Sequence, residues 1–221
     1  FSVWLITLNS PVIENIKIQM TENKSIVWLS TAYWAPVQYY TKLFRYPEVV
    51  TEQFDHYTKQ TYRNRCVIAS PNGPLALTVP VVKSEDTKCP MKDIRISDHG
   101  NWRHLHWNAL ESSYRNSPFF EYYADDFRPF YEKKWEFLLD FNQAIQDTVC
   151  RLIDIQPKIR LSDSFLDAAD SACDDYRFTI QPRVTAEQDS QFESKPYYQV
   201  FAQRTGFLPN LSIADLLFNM G

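Results

Sequence analysis

The chain has 221 residues, 44% of them apolar, which suits one compact domain with a real core and argues against global disorder. Its 23 basic and 27 acidic residues give a net charge of −4, which argues against a general nucleic-acid binder or anionic-membrane binder. No apolar run approaches the roughly 20 residues needed to span a bilayer, so no membrane span is expected. Only four glycines are present, and their positions match neither of the Gly-rich phosphate-binding motifs, G-x-x-x-x-G-K-[ST] and G-x-G-x-x-G.

The four cysteines are too far apart for a structural zinc site or a disulfide scaffold; they are Cys66, Cys89, Cys150 and Cys173. The spacing favours four reduced thiols in a cytoplasmic protein. Nothing in the pattern calls for a cofactor, and none is expected.

The first elements along the chain predict a βαβ unit. Residues 25–31, "SIVWLST", read as a buried strand, and Pro36 suits the first turn of a helix that continues through "VQYYTKLFRY". Residues 47–54, "PEVVTEQF", are the next strand candidate. A strand, a helix and a strand over about 30 residues indicate parallel pairing with a right-handed crossover.

The later elements predict a hairpin and several helices. "RCVIAS" and "PLALTVPVV" are joined by the turn signal at 71–74, and "DIRIS" (93–97) reads as a further strand. Helices are predicted over 101–117, over 125–155 as the longest, and over 212–221 with Ser212 as N-cap and Asp215 in the first turn. Residues 184–196 read as a loop. The expected fold class is therefore α/β: a mixed sheet with an N-terminal βαβ unit, an antiparallel hairpin and several packed helices.

The stretch 55–65, "DHYTKQTYRNR", is unusually rich in groups that recognise anions. Parallel strands place the loop 31–35 and the start of this stretch at one carboxyl edge, where open α/β sheets bind ligands. That edge would gather Tyr33, Trp34, Asp55 and His56. Beyond them, Lys59, Arg63 and Arg65 offer cationic donors suited to phosphate or carboxylate. Gln60 and Asn64 are neutral hydrogen-bonding partners in the same stretch. The alternative is an edge strand or hairpin arm that alternates its cations on one face.

His106 is the best candidate for a general acid or base. At 100° per residue it falls on the same helix face as Trp102, whereas His104 points nearly opposite, towards solvent. The alternative role is a hydrogen-bonded core histidine. Cys66 follows the basic stretch, but it begins an apolar strand and reads more naturally as a small buried hydrophobe than as a nucleophile. The residues around His99 do not have spacing typical of metal ligands, so no metal site is expected.

Three segments together resemble the WbqC-like protein family of bacteria. They are "DHYTKQTYRNRCVIASPNGPLALTVPVV", "HWNALESSYRNSPFFEYYADDFRPFYE" and "YYQVFAQRTGFLPNLSIADLLFN". The resemblance runs from about residue 26 to the C-terminus. It implies a single domain over 26–221, with 1–25 as an N-terminal extension outside the match.

The resemblance implies a role in surface-polysaccharide or O-antigen biosynthesis, without an agreed reaction. The family pattern adds one further site candidate, Gln199. In this chain the pattern falls on Asp55, Asn64, Arg65, His106, Trp107, Tyr198, Gln199, Asn210 and Asp215. In the first loop many members have Gln-Pro where this chain has Ser30 and Thr31, which puts a role for that Gln in doubt.

The leading hypothesis is a cytoplasmic transferase acting on a nucleotide- or carrier-linked sugar or amino sugar. The basic side chains would clamp a phosphate or carboxylate, Tyr33 and Trp34 would stack on a ring, and His106 would move the proton with Asp55 as orienter or second acid/base. Gln199 joins the substrate-binding set through the family pattern. The alternative is a non-catalytic accessory module that binds a glycosyltransferase or an acyl carrier protein.

Overall fold

The computed structural model describes residues 25–83, 88–165, 173–184 and 186–221. The strands are β1 (Ile26–Ser30), β2 (Glu48–Glu52), β3 (Arg65–Ser70), β4 (Gly73–Thr78), β5 (Ile159–Leu161) and β6 (Cys173–Asp175). The helices are α1 (Val37–Arg45), α2 (Trp102–Tyr114), α3 (Phe120–Phe127), α4 (Pro129–Glu132), α5 (Leu138–Leu152), α6 (Ala202–Thr205) and α7 (Ile213–Met220). Short 3₁₀ turns cover Met91–Asp93, His99–Asn101 and Ala186–Gln188. The expected N-terminal extension lies outside the described residues except for Ser25.

The main sheet has four strands in the order β5-β2-β1-β6, and every pair in it is parallel. The predicted βαβ unit is confirmed as β1, α1 and β2, with Val27 opposite Val49 in the register. Both of these valines are fully buried, as expected for a parallel sheet covered on both faces. The parallel arrangement brings the carboxyl ends of β1, β2, β5 and β6 to one edge.

The predicted hairpin is confirmed as β3 and β4. Its tight turn is closed by Ser70, whose hydroxyl donates to the Gly73 carbonyl at 2.7 Å and accepts from the Asn72 amide at 3.2 Å. Gly73 takes a φ of 101°, which L side chains rarely adopt. The mixed α/β fold class expected from the sequence is thus correct.

The prediction of one helix over 125–155 is wrong. The chain instead forms α3, α4 and α5, because Pro129 occupies a helix start and Lys133 to Phe137 run extended. In that extended piece the Glu136 carbonyl accepts from the Ile96 amide at 2.9 Å, and the Leu138 amide donates to Ile94. The hydrogen bonds between residues 136–138 and residues 94–96 thus prevail over the helical pattern of the sequence. The predicted "DIRIS" strand is correspondingly reduced to isolated bridges.

The core is rich in aromatic rings and centres on α7. The Phe218 ring lies 5.1 Å from the ring of Phe120 and 5.3 Å from that of Tyr114, centroid to centroid. The predicted N-cap is confirmed, since the Ser212 hydroxyl accepts from the Ala214 amide at 3.2 Å. Among the described residues no helix combines the length and apolarity needed to cross a bilayer.

Candidate functional site

Charged side chains gather at the carboxyl edge of the parallel sheet, where β1, β2 and β6 end. Buried charges are costly unless they are paired, so their concentration here needs a specific explanation. We call the following set the edge cluster: Ser30, Glu52, Asp55, Arg63, Asp175 and Arg177. It lies at the position where open α/β sheets bind ligands.

Asp55 and Arg63 form the first half of the edge cluster, and both are buried. Arg63 Nη2 pairs with Asp55 Oδ2 and also donates to the Ser30 hydroxyl at 2.8 Å. Within the described residues, Asp55 Oδ1 and Arg63 Nε are buried without a hydrogen-bond partner. Burial raises the pKa of the Asp55 carboxyl above its ordinary value, against the opposing effect of Arg63. One carboxylate oxygen is therefore held while the other is left for a further donor.

Arg177 organises the second half of the edge cluster. Its Nη1 donates to Glu52 Oε2 at 3.1 Å, and its Nε and Nη2 reach the two oxygens of Asp175 at 3.0 and 2.7 Å. The guanidinium carbon lies 5.6 Å from the ring of Phe178 and 5.9 Å from that of Phe165. These two rings are 55% and 43% exposed, so aromatic surface faces solvent directly beside the buried charges.

A small cavity of about 10 Å³ lies inside this edge, a volume that accommodates about one water molecule. Its wall includes Ser30, Tyr39, Arg63, Tyr176 and Arg177. The Tyr39 hydroxyl is buried without a hydrogen-bond partner among the described residues, and burial raises its pKa. The cavity thus lies on the inner side of the edge cluster, against Ser30, Arg63 and Arg177.

His106 belongs to a different hydrogen-bonded chain. It faces inward as predicted, while His104 is exposed. Trp34 Nε1 donates to the Tyr131 hydroxyl at 2.8 Å, the Tyr131 and Tyr33 hydroxyls are 2.8 Å apart, and Tyr33 Oη lies 2.9 Å from His106 Nδ1. Since the indole can only donate, the arrangement that leaves no hydroxyl proton of this chain without an acceptor makes Nδ1 an acceptor. A backbone hydrogen bond to Thr78 engages the ring, and burial lowers the His106 pKa to about 4.

The predicted ring-stacking residues lie in the core. Tyr33 and Trp34 are enclosed, and Trp34 packs on Phe127 with ring centroids 4.6 Å apart. Neither ring presents a face to a ligand in this structure. Gln199 is also buried, where its Nε2 donates to Asp215 Oδ2 at 2.8 Å and its Oε1 accepts from the Leu208 amide at 2.9 Å.

The remaining predicted residues occupy separate environments. His56, Lys59 and Gln60 are exposed, and Gln60 Oε1 accepts from Arg183 Nη2.

The last two predicted residues lie where the hairpin begins. Asn64 Nδ2 donates to the Val79 carbonyl at 2.9 Å, and Arg65 Nε donates to Thr78 Oγ1 at 3.2 Å. The structure brings the predicted site residues together as two separate pairs, Asp55 with Arg63 at the sheet edge and Tyr33 with His106 in the core.

The alternative of an alternating edge strand over 55–65 is wrong, because bends and turns fill the stretch and β3 begins only at Arg65. Cys66 is fully buried, as the hydrophobe interpretation required, and burial raises its pKa. In the described part of the chain no group of three or more His, Cys, Asp or Glu is placed to hold a metal ion.

Sequence reasoning missed Glu52, Asp175 and Arg177. Glu52 carried a usable signal, since an acid ends a strand that a parallel sheet buries and whose centre is Val49 and Val50. Asp175 and Arg177 carried no such signal. They lie at the end of β6 and just after it, and this three-residue strand is too short to be found from its pattern.

The fold and the edge cluster define an α/β protein with a buried polar site at the carboxyl edge of a parallel sheet. The model of the WbqC-like protein family matches residues 32–188, and the chain belongs to that family. It is similar to the uncharacterized protein Rv1507c of Mycobacterium tuberculosis, with 25% identity over 227 residues, 93% of this chain and 94% of that protein. No solved structure shows a significant match.

Proposed function

We propose that this protein is a transferase that acts on a nucleotide- or carrier-linked sugar or amino sugar in surface-polysaccharide biosynthesis, with its chemistry at the edge cluster. Family membership supports the biosynthetic context that the resemblance implies. The position of the cluster supports the location, since ligands of open α/β sheets bind at this edge.

The observation that carries the proposal is the half-partnered carboxylate of Asp55. A buried ion pair adds little to stability on its own, and an unpartnered buried oxygen subtracts from it. Perturbed carboxyl groups of this kind are concentrated at functional sites. Arg63 holds Oδ2 in place, whereas Oδ1 has no hydrogen-bond donor within the described ranges and is left for one from a substrate.

Asp55 serves as the general base in this proposal. Its Oδ1 takes the proton from an acceptor hydroxyl or amine as that atom bonds to the transferred carbon. The bond from that carbon to the phosphate oxygen breaks, and the electron pair leaves with the phosphate. A carboxyl whose pKa is raised is a stronger base near neutral pH, and such a group contributes about 10²- to 10⁴-fold to a rate.

The exposed rings of Phe165 and Phe178 support a ring-shaped substrate, since they offer flat apolar surface beside the buried charges. The exposed side chains of His56 and Lys59 follow β2 at the same edge and are available to a phosphate. This division assigns the ring to the aromatic side and the phosphate to the segment after β2.

A screen of nucleotide sugars, sugar phosphates and acyl donors tests the proposal. Thermal unfolding identifies ligands, since a ligand at about 100 times its dissociation constant stabilises the folded state by about 2.7 kcal/mol. Hits are then incubated with acceptor sugars, and mass spectrometry follows the loss of donor. We expect binding and consumption by the wild type, and binding without consumption by Asp55→Asn.

The matched control is Asp93→Asn, which neutralises a carboxylate that is 53% exposed. It is expected to consume donor like the wild type. Failure of every nucleotide- and phosphate-linked donor to bind would contradict the proposal and favour the accessory-module alternative. Equal consumption by Asp55→Asn and the wild type would remove Asp55 from the chemistry.

A further inference from the structure

A second open site lies away from the edge cluster, in a groove between α2 and the segment formed by α3 and α4. Its volume is about 260 Å³, just below the roughly 300–1,000 Å³ of typical small-molecule pockets. None of the edge-cluster residues lines it. We call it the α2–α4 groove; its polar and aromatic lining includes Asn101, Arg103, His104, Trp107, Arg128 and Tyr131.

Two arginines line this groove, Arg103 from α2 and Arg128 from the turn between α3 and α4. Arg128 is 60% exposed, and its Nε donates to Glu132 Oε1 at 2.9 Å. Arg103 Nη2 donates to Asp98 Oδ1 at 2.6 Å, while Arg103 Nε is buried without a hydrogen-bond partner among the described residues. Each guanidinium carries five N–H donors, so each pairing leaves donors for a ligand.

The charge of the groove favours an anion. Its lining contains two arginines against the single carboxylate of Glu132. Asp98, which pairs with Arg103, is itself shared with Lys134 at 2.7 Å. Guanidinium groups bind phosphate and carboxylate through paired hydrogen bonds, so two of them in the lining of one groove suit such a ligand.

The floor of the groove is aromatic and fixed in place. The rings of Trp107 and Tyr131 have centroids 5.8 Å apart. Tyr131 is buried and held at its hydroxyl by Trp34 and Tyr33, and Trp107 also packs on Phe120 at 6.0 Å. A rigid aromatic floor loses little conformational entropy when a ring packs against it.

We propose that the α2–α4 groove binds a small ring compound bearing a phosphate monoester, with Arg103 and Arg128 holding the phosphate and Trp107 contacting the ring. This inference is independent of the proposed transferase activity, because the two sites have no residue in common. It gives a role to the segments "NWRHLHWNAL" and "DDFRPFYE", which the edge cluster does not use.

Isothermal titration calorimetry with four probes tests the inference at one fixed salt concentration. Phenyl phosphate carries both the ring and the phosphate, phenol only the ring, inorganic phosphate only the charge, and benzoate a carboxylate in place of the phosphate. We expect phenyl phosphate to bind more tightly than each of the other three. Arg128→Gln and Arg103→Gln are each expected to weaken it about tenfold, since each removes charge-assisted hydrogen bonds.

The matched control is Arg151→Gln, which removes an arginine that is 64% exposed, lies on a helix and pairs with Asp126. It is expected to change the affinity for phenyl phosphate less than twofold, and Asp55→Asn is expected to leave it unchanged. Circular dichroism establishes whether each variant is folded. If Arg103→Gln does not fold, Arg128→Gln still tests the inference, because the Arg128 side chain is exposed. The inference is overturned if phenyl phosphate binds no better than inorganic phosphate and phenol, or if Arg128→Gln and Arg151→Gln have equal effects.

Discussion

Acid should destabilise this protein through His106. Protonation of Nδ1 would make His106 a donor to the Tyr33 oxygen and turn the Tyr33 hydroxyl towards Tyr131. Tyr131 already accepts from Trp34, whose indole cannot reverse, so the Tyr131 hydroxyl proton would lose its partner inside the core. The folded state therefore resists protonation.

The size of the effect follows from the pKa. Burial lowers the His106 pKa from 6.5 to about 4, so between these values the unfolded chain binds more protons than the folded one. The free energy of unfolding then falls as the pH falls through this window. Between pH 7 and pH 5 the loss attributable to His106 is about 2 kcal/mol.

Urea unfolding at pH 7 and at pH 5 measures this loss in the wild type and in His106→Gln. A glutamine retains one acceptor and one donor but does not titrate. We expect the loss on acidification to be about 2 kcal/mol smaller in His106→Gln than in the wild type. His104→Gln, which changes an exposed histidine of the same helix, should behave like the wild type.

An equal loss in the wild type and in His106→Gln would refute the reasoning. So would a His106→Gln variant that gains no acid resistance while His104→Gln does. Either result would mean that the Trp34–Tyr131–Tyr33–His106 chain does not hold the ring neutral.

Three further substitutions have defined outcomes in urea unfolding. Arg63→Met should cost about 3–5 kcal/mol because it leaves the Asp55 carboxylate buried without its cation, and adding Asp55→Asn should recover part of that. Asp215→Asn should flatten the fall in stability as pH rises above the ordinary Asp value, since burial raises the Asp215 pKa. Ser212→Ala should cost about 1 kcal/mol through the lost N-cap. Changes below about 0.3 kcal/mol would contradict each account.

The sequence predicted the parts of the fold that depend on local pattern. The βαβ unit, the hairpin at Gly73 and the cap at Ser212 each follow from periodicity or turn chemistry within a few residues. The break between α4 and α5 depends on pairing with residues 94–96, some forty positions away, and a helical stripe cannot reveal that competition.

The edge cluster was predictable only where it followed from strand ends. Asp55 was placed correctly at the carboxyl edge, because it comes directly after β2. The direction in which Arg63 turns, towards Asp55 and not towards solvent, depends on a buried carboxylate that composition cannot locate. Tyr33 follows β1 just as closely, yet its ring turns into the core to meet His106 and Tyr131.

The proposed role of Asp55 is tested most directly by single-turnover kinetics with a donor identified in the screen. With donor and acceptor saturating, the account predicts that Asp55→Asn lowers the rate constant about 10²- to 10⁴-fold while the donor dissociation constant stays within about twofold. A rate constant equal to that of the wild type, or a loss explained entirely by weaker donor binding, would contradict it.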